Sequence, residues 1–173
     1  MGKGGARAAV ASLVAVTLLA TAPARGQAAP APWRDTFWIG GGLGVGSEDA
    51  AGSLNGSYQF GASLVTLRAT ITAGILGDDG FGDYALLYGR ATRPATKQYH
   101  LSAAAGVGLV HGCRGGGLSS CRDVPSVIGF PIELQAFWRP GSLIALGIYG
   151  FANLNQEQSF AGVTLGLQLG RLH

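Results

Sequence analysis

The feature that most constrains this chain is an alternation of apolar with small or polar side chains, which recurs in eight segments. Neighbouring side chains of a β-strand point to opposite faces, so a period of two predicts strands with one apolar face. Frequent glycine within these segments disfavours helices. The predicted strands are Phe37–Gly46, Ser53–Phe60, Val65–Ile75, Asp83–Arg90, Tyr99–His111, Ser126–Trp138, Leu143–Phe151 and Phe160–Leu172.

The composition of the second face decides between a soluble and a membrane fold. Charged residues make up only 12% of the chain, which contains 30 glycines, and the non-apolar face is mostly Gly, Ser, Thr, Asn and Gln. A soluble sheet shows many charges to water, whereas a narrow barrel lumen suits small polar side chains and its apolar face suits lipid. The sequence therefore predicts an all-β fold, an eight-stranded antiparallel up-and-down transmembrane β-barrel over residues 36–173.

The N-terminal residues have the pattern of a secretory signal peptide. Lys3 and Arg7 precede an uncharged apolar run over 8–22, and small residues with proline follow. This pattern predicts a cleaved signal peptide at 1–28 and a short segment at 29–35, with an uncleaved anchor as the alternative. Residues 1–28 contain three of the 12 basic residues and no acidic ones, so the mature chain has nine of each sign. A neutral mature chain does not favour a nucleic-acid partner.

The connections between the segments predict an orientation. With a periplasmic N-terminus, the even-numbered connections face the periplasm, and two of these three, connections two and six near 61–63 and 139–141, are short. Three of the four odd, outward connections are longer, as in outer-membrane barrels. Arg90 and Arg139 fall at inner turns, whereas Glu48 and Asp79 fall in outer connections. Four aromatic residues near strand ends are candidates for an aromatic girdle, namely Tyr84, Tyr88, Tyr99 and Trp138.

The pattern resembles small outer-membrane barrels of the OmpA/OmpX type over residues 36–173. The resemblance rests on the segments 38–42, 104–109 and 162–167, and it implies a lumen filled by side chains. Two features depart from that class. The chain printed here ends in Arg171, Leu172 and His173 where such barrels commonly end on an aromatic residue, and Pro131 removes a hydrogen-bond donor within the sixth strand. We expect a β-bulge at Pro131.

Cysteine and acidic residues suggest three further sites. Export to an oxidising compartment predicts a disulfide between Cys113 and Cys121. His111 lies close to Cys113, but two thiols and one imidazole are an incomplete zinc set. Asp78, Asp79 and Asp83 are rich in oxygen ligands but lack a calcium-loop spacing, so solvated acids in an outer loop are the favoured interpretation. We expect no metal and no cofactor.

Polar residues predicted to face the lumen form the remaining candidate sites. We expect Arg68 and Glu133 to pair, or to join a network with Gln135 and Gln168, because an isolated charge in a dry lumen is costly. His100 and Ser102, two residues apart, are both predicted to face the lumen, and a carboxylate would complete a Ser-His-acid set. The pair resembles the His-x-Ser strand motif of outer-membrane lipid A deacylases. The catalytic residues of those enzymes face lipid, because the substrate is a lipid, whereas His100 and Ser102 are predicted to face inward. Polar side chains that fill the lumen are therefore the favoured interpretation.

The expected function follows from the barrel. We expect a monomeric integral protein of the outer membrane of a Gram-negative-type bacterium, in contact with lipid and lipopolysaccharide, with a structural or surface-interaction role and an unknown loop partner. One alternative is a soluble periplasmic lipocalin-like barrel, in which residues such as Leu165 and Leu167 would face an internal ligand. The other is a lipid-modifying hydrolase that uses His100 and Ser102.

Overall fold

The structure is a computed structural model that describes residues 35–74, 79–92, 98–115 and 122–172. The chain divides into two units, Met1–Ala31 and Pro32–His173. The first unit lies outside the described residues, and so does the predicted signal peptide. No helix in the described ranges is long and apolar enough to cross a membrane.

The second unit is a closed barrel of eight strands, in which every strand pairs with its sequence neighbour and β1 pairs with β8. All of these pairs are antiparallel. The predicted all-β, up-and-down barrel is therefore confirmed. The strands are β1 Thr36–Gly46, β2 Asp49–Phe60, β3 Ser63–Ala73, β4 Gly80–Ala91, β5 Tyr99–Arg114, β6 Arg122–Trp138, β7 Ile144–Leu154 and β8 Phe160–Arg171.

The predicted strand centres agree with the structure, and the differences lie at strand ends. β2 begins at Asp49 rather than at Ser53, because β1 continues to pair with it up to Gly46–Asp49. Small residues at 50–52 give no alternation of large apolar side chains there, so the periodicity missed this part of the strand. β5 and β6 likewise extend beyond the prediction, to an Arg114–Arg122 pair.

The apolar face of the sheet points out of the barrel. Leu43 is 80% exposed and Ile128 71%, whereas the side chains of the other face are buried. The four aromatic residues predicted for the girdle also face outward. The lipocalin-like alternative required Leu165 and Leu167 to face inward, but they are 73% and 41% exposed. The alternation therefore places most large aliphatic side chains outside, whereas the inside combines polar side chains with a buried apolar cluster that includes Trp38, Phe137 and Phe151.

Glycine residues allow the backbones of β1 and β8 to approach closely. An added Cβ at Gly44, on β1, would lie 2.0 Å from the carbonyl oxygen of Val163 on β8. At Gly42 it would lie 2.7 Å from both the Leu165 oxygen and Thr164 Oγ1. These glycines of the 41–46 segment thus serve close packing between β1 and β8, since no larger residue fits there without a shift of the backbone.

The ladder at Pro131 differs from the expectation. β5 pairs with β6 at Ala105–Ile132 and again at Gly108–Gly129 in the same register, so the ladder is interrupted at Pro131 without a bulge. The register shift of this strand pair lies between Val110 and Gly112 instead. A missing N–H costs one rung of the ladder, which an interruption accommodates without an extra residue.

The connections are short at both ends of the barrel. Two-residue turns follow both β1 and β2, and the remaining connections have five to seven residues. The expected contrast between long outer loops and short inner turns is therefore weak, and loop length alone does not assign a side. We call the end where β1 begins and β8 ends the terminal end, and the other the opposite end.

Candidate functional site

The lumen is the candidate site, because most of the buried polar side chains of the described residues gather there. Its centre contains an ion pair between Arg68 on β3 and Asp83 on β4, both with fully buried side chains. Arg68 Nη2 donates to Asp83 Oδ2 at 2.5 Å, and Nε donates to Oδ1 at 3.3 Å. Two parallel hydrogen bonds fix the planar guanidinium against the carboxylate.

The rest of this pair is also satisfied. Asp83 accepts hydrogen bonds from Thr70 Oγ1 at 2.7 Å and Asn153 Nδ2 at 2.6 Å. Arg68 Nη1 donates to the Ile132 carbonyl at 2.9 Å. Alternation places Arg68, Thr70 and Asp83 on the lumen face, and the β3–β4 register sets Thr70 directly opposite Asp83. Local strand geometry thus builds the pair from neighbouring strands.

Glu133 lies in a second chain of hydrogen bonds. It accepts from Gln135 Nε2 at 2.9 Å and from Tyr149 Oη at 2.6 Å, and Gln168 Nε2 donates to Gln135 Oε1 at 2.7 Å. Gln135 and Gln168 were both predicted to lie in a polar network with Glu133. We call the Arg68–Asp83 pair and the chain from Tyr149 to Gln168 together the central network.

Two arrangements were expected for Arg68 and Glu133, a direct pair or a shared network with Gln135 and Gln168, and the described residues show no direct pair. Arg68 forms its two-point contact with Asp83, which lies on the adjacent strand β4, whereas Glu133 lies on β6. Periodicity assigns a residue to a face, but it does not select between two carboxylates that share that face. The contact of the Tyr149 hydroxyl with Glu133 was also not predicted, because alternation places Tyr149 on the lumen face but does not select its hydrogen-bond partner there.

A second group of lumen residues has unpartnered polar atoms. We call it the basal cluster, because it lies towards the terminal end. It consists of Trp38, His100, Ser102, Arg139 and the unpartnered Oε1 of Gln168, whose Nε2 belongs to the central network. Within the described ranges, the atoms of this cluster without a hydrogen-bond partner are Trp38 Nε1, His100 Nδ1 and Nε2, Ser102 Oγ, Arg139 Nε and Nη2, and Gln168 Oε1.

His100 and Ser102 both face the lumen, as predicted, but no triad is formed. Ser102 Oγ and both ring nitrogens of His100 are without partners among the described residues. The imidazole packs edge-on against Trp38, with ring centroids 5.0 Å apart. The two lumen carboxylates, Asp83 and Glu133, are held by other partners in the central network. This arrangement provides no activated nucleophile in the part of the chain described.

Arg139, which was predicted to lie at an inner turn, is a lumen residue. It follows the last residue of β6 and is 5% exposed, because the inward alternation of Glu133, Gln135 and Phe137 continues for one more residue. Its Nη1 donates to the Leu172 carbonyl at 2.7 Å, and its Cζ lies 6.0 Å from the Trp38 ring centroid. Burial lowers the pKa of Arg139 to about 10.

Side chains of several connections meet at the opposite end of the barrel. Gln158 Nε2 donates to Glu48 Oε1 at 2.9 Å, and Arg114 Nη2 donates to the Glu157 carbonyl at 2.9 Å. Arg114 also lies over the ring of Phe81, a lumen residue. These contacts connect β1–β2, β5 and β7–β8 across the mouth.

Among the acidic and cysteine residues considered in the sequence, Asp79 and Cys113 lie near this end. Asp79 accepts a hydrogen bond from the Gly115 backbone at 2.6 Å, and Asp83 belongs to the central network, so these two carboxylates serve separate sites. Asp78 and Cys121 lie outside the described residues, and the disulfide with Cys113 stays a prediction. Across the ranges that the structure describes, no group of three metal-ligating side chains occurs.

The fold has known structural counterparts. The crystal structure of Neisserial surface protein A, NspA, matches with a TM-score of 0.57 at 10% identity, over 78% of this chain and 96% of that chain. The fold is that of a small outer-membrane β-barrel. Ail, the attachment invasion locus protein of Yersinia pestis, matches with a TM-score of 0.48 at 13% identity, over 82% of this chain and 99% of that one. A designed transmembrane β-barrel matches with a TM-score of 0.48 at 10% identity, over 78% and 94%. No protein-family model and no curated protein sequence matches the chain.

Proposed function

We propose that this chain is a monomeric integral outer-membrane protein with a structural or surface-interaction role and a closed lumen. The observation that carries the proposal is that the barrel exposes apolar side chains and buries charged ones, the reverse of a soluble protein. Large apolar side chains such as Leu43 and Leu165 are exposed around the wall, while charged residues such as Arg68 and Glu133 are buried. Apolar surface on this scale needs lipid or a partner protein to cover it, and a closed barrel leaves no backbone edge unpaired in lipid.

The filling of the lumen favours such a role over that of a general pore. Arg68 contacts residues of β4, β6 and β7, so its side chain crosses the interior. Tyr149, Phe81 and Trp38 are each 1% exposed and occupy lumen space at three further positions. Eight strands enclose an interior just wide enough for side chains, so we expect conductance far below that of a porin.

The N-terminal pattern supports export, and we propose that residues 1–28 are removed in the periplasm. The terminal end would then face the periplasm, and the opposite end, with Glu48, Asp79 and Glu157, would face outward. In this orientation the acidic outer end would contact the lipopolysaccharide headgroups, and divalent cations could bridge the two.

Fractionation and gel migration test the proposal together. Expressed with its N-terminal segment in a Gram-negative host, the protein should be recovered in the outer membrane, and N-terminal sequencing should begin close to residue 29. The folded protein should migrate differently before and after boiling, as closed membrane barrels do. Recovery in the soluble periplasm with unchanged migration would contradict the proposal. In planar bilayers, porin-like conductance would refute the closed lumen alone.

The lipid-modifying alternative has a separate test. Ser102→Ala removes the only hydroxyl of the His100–Ser102 pair, and Thr70→Ala serves as a matched lumen control. We expect the lipid A of cells that express either variant to match that of cells with the unaltered protein. Deacylated lipid A that depends on Ser102 and not on Thr70 would establish the enzyme and refute a purely structural role.

A further inference from the structure

The lumen contains the buried arginines Arg68 and Arg139, whose guanidinium groups differ in the partner of their Nε–Nη2 edge. The Nε and Nη2 atoms of Arg68 both donate to Asp83. The same two atoms of Arg139 have no partner in the described part of the chain, although this residue is only 5% exposed. The Nε–Nη2 edge is a planar fork of two donors that matches a carboxylate or phosphate. Arg139 therefore presents the fork that Arg68 uses, without the carboxylate.

The residues around Arg139 add donors rather than negative charge. Trp38, whose ring lies 6.0 Å from the guanidinium carbon, has an unpartnered indole N–H, which can only donate. His100 lies against Trp38, and neither of its nitrogens has a partner. The nearest carboxylate along the lumen face of β6, Glu133, is already bound by Gln135 and Tyr149. A buried cation beside free donors is a setting that an anion satisfies better than a cation does.

We propose that the basal cluster binds a small oxyanion of the phosphate or carboxylate class at the Nε–Nη2 edge of Arg139. Trp38 Nε1 and one nitrogen of His100 complete the donor set. Ser102 Oγ and Gln168 Oε1, which also lack partners among the described residues, are the remaining polar atoms of the same cluster. The site would take either a free anion that enters through the terminal end or the phosphate of a lipid headgroup. The site is independent of the proposed surface role, since it requires only that the barrel folds.

Side-chain NMR of the refolded full-length barrel in maltoside micelles, which carry no phosphate, tests the site. Inorganic phosphate and acetate are added at constant ionic strength, with chloride as the compensating salt. We expect the Arg139 Nε–H and Trp38 Nε1–H resonances to shift together along one saturable curve. A linear drift without saturation would overturn the proposal, because the anion would then act on the guanidinium only nonspecifically. Resonances that no anion moves would also overturn it, because the two donors would then not be available to an anion.

Three variants separate the site from general electrostatics. Arg139→Gln should abolish the Trp38 shift, and Arg139→Lys, which keeps the charge but loses the fork, should weaken the affinity by about tenfold. Arg171→Gln removes an equal charge from an exposed position at the same end and should leave the affinity unchanged. Equal weakening by Arg171→Gln and Arg139→Gln would overturn the proposal. Boiled and unboiled gel migration shows that each variant is folded before it is titrated.

A second arm identifies the source of the anion. The titration is repeated in phosphocholine micelles, whose headgroups carry the same phosphate chemistry. If the free anion is the ligand, the dissociation constant for inorganic phosphate stays within about twofold of the maltoside value. If a headgroup occupies the fork, the Arg139 and Trp38 resonances start at their shifted positions before phosphate is added. Both results support the site. Unshifted resonances that no added phosphate moves would refute it.

Discussion

The central network and the basal cluster lie in one lumen, yet their polar groups are satisfied to different degrees. Asp83 accepts four hydrogen bonds, from Arg68, Thr70 and Asn153, whereas both forked donors of Arg139 are unpartnered among the described residues. Arg68 and Asp83 lie within strands, where both neighbouring strands and the far wall supply partners. Arg139 lies beyond the end of β6, where fewer strands can supply hydrogen-bond partners.

This difference teaches that burial alone does not identify a structural ion pair. Arg68 and Arg139 are 3% and 5% exposed, so exposure does not separate them. What separates them is whether a carboxylate lies within reach on a neighbouring strand. A buried charge with its partner contributes to holding the barrel together, whereas one without a partner remains available for a ligand.

The largest expected effect comes from breaking the central pair. Asp83→Ala leaves Arg68 buried without a carboxylate, and we expect the free energy of unfolding to fall by about 3–5 kcal/mol. Urea unfolding of the barrel refolded in lipid vesicles measures this. The double variant Arg68→Met with Asp83→Leu removes both charges and should be clearly more stable than Asp83→Ala. If Asp83→Ala costs less than about 1 kcal/mol, the two regions do not differ as described.

The hydroxyl of Tyr149 should matter next. Tyr149→Phe removes the donor that lies 2.6 Å from Glu133, so a buried carboxylate oxygen loses its partner. We expect a loss of about 1–3 kcal/mol in the same unfolding measurement. Tyr88→Phe is the matched control, because its hydroxyl contacts Ser63 at an exposed position, and it should change stability by no more than about 0.5 kcal/mol. Equal effects of the two variants would be evidence against a tightly coupled central network.

Two lumen hydroxyls compare the regions directly. Thr70→Val keeps the side-chain shape but removes the donor to Asp83, and we expect it to cost about 1–2 kcal/mol. Ser102→Ala removes a hydroxyl without a partner among the described residues, so its effect should stay within about 0.5 kcal/mol. Thermal or urea unfolding of the pair under one condition is sufficient. A larger loss for Ser102→Ala than for Thr70→Val would reverse the comparison.

The expected effect at Arg139 is also small, and it depends on the buffer. Without phosphate, Arg139→Gln loses the bond to Leu172 but also removes an unpaired buried charge, so stability should change by less than about 1 kcal/mol. In excess phosphate the unaltered protein should gain stability by ligand linkage, whereas the variant should not. The observable is the difference between the unfolding midpoints in the two buffers. If phosphate does not increase the difference in unfolding midpoint between the unaltered protein and Arg139→Gln, Arg139 does not bind the anion.

Much of the fold could be predicted from the sequence, because a β-barrel repeats one simple rule along every strand. Alternation assigned Leu165 to the wall and Arg68, Glu133 and Gln168 to the interior, and the structure agrees. The same rule, extended by one residue past Trp138, would also have placed Arg139 inside. The strand ends at Asp49 and Arg114 were missed because small residues and loop-like composition leave no periodic signal there.

By itself, the sequence determined the strand count and which face of each strand is apolar, because side-chain direction in a strand depends only on position along the chain. Only the tertiary structure decided which lumen residues meet. Arg68 pairs with Asp83 and not with Glu133, and Arg139 has no carboxylate within the described residues. The physical reason is that contacts across a closed barrel depend on the stagger of all eight strands, which fixes the height of each side chain in the lumen.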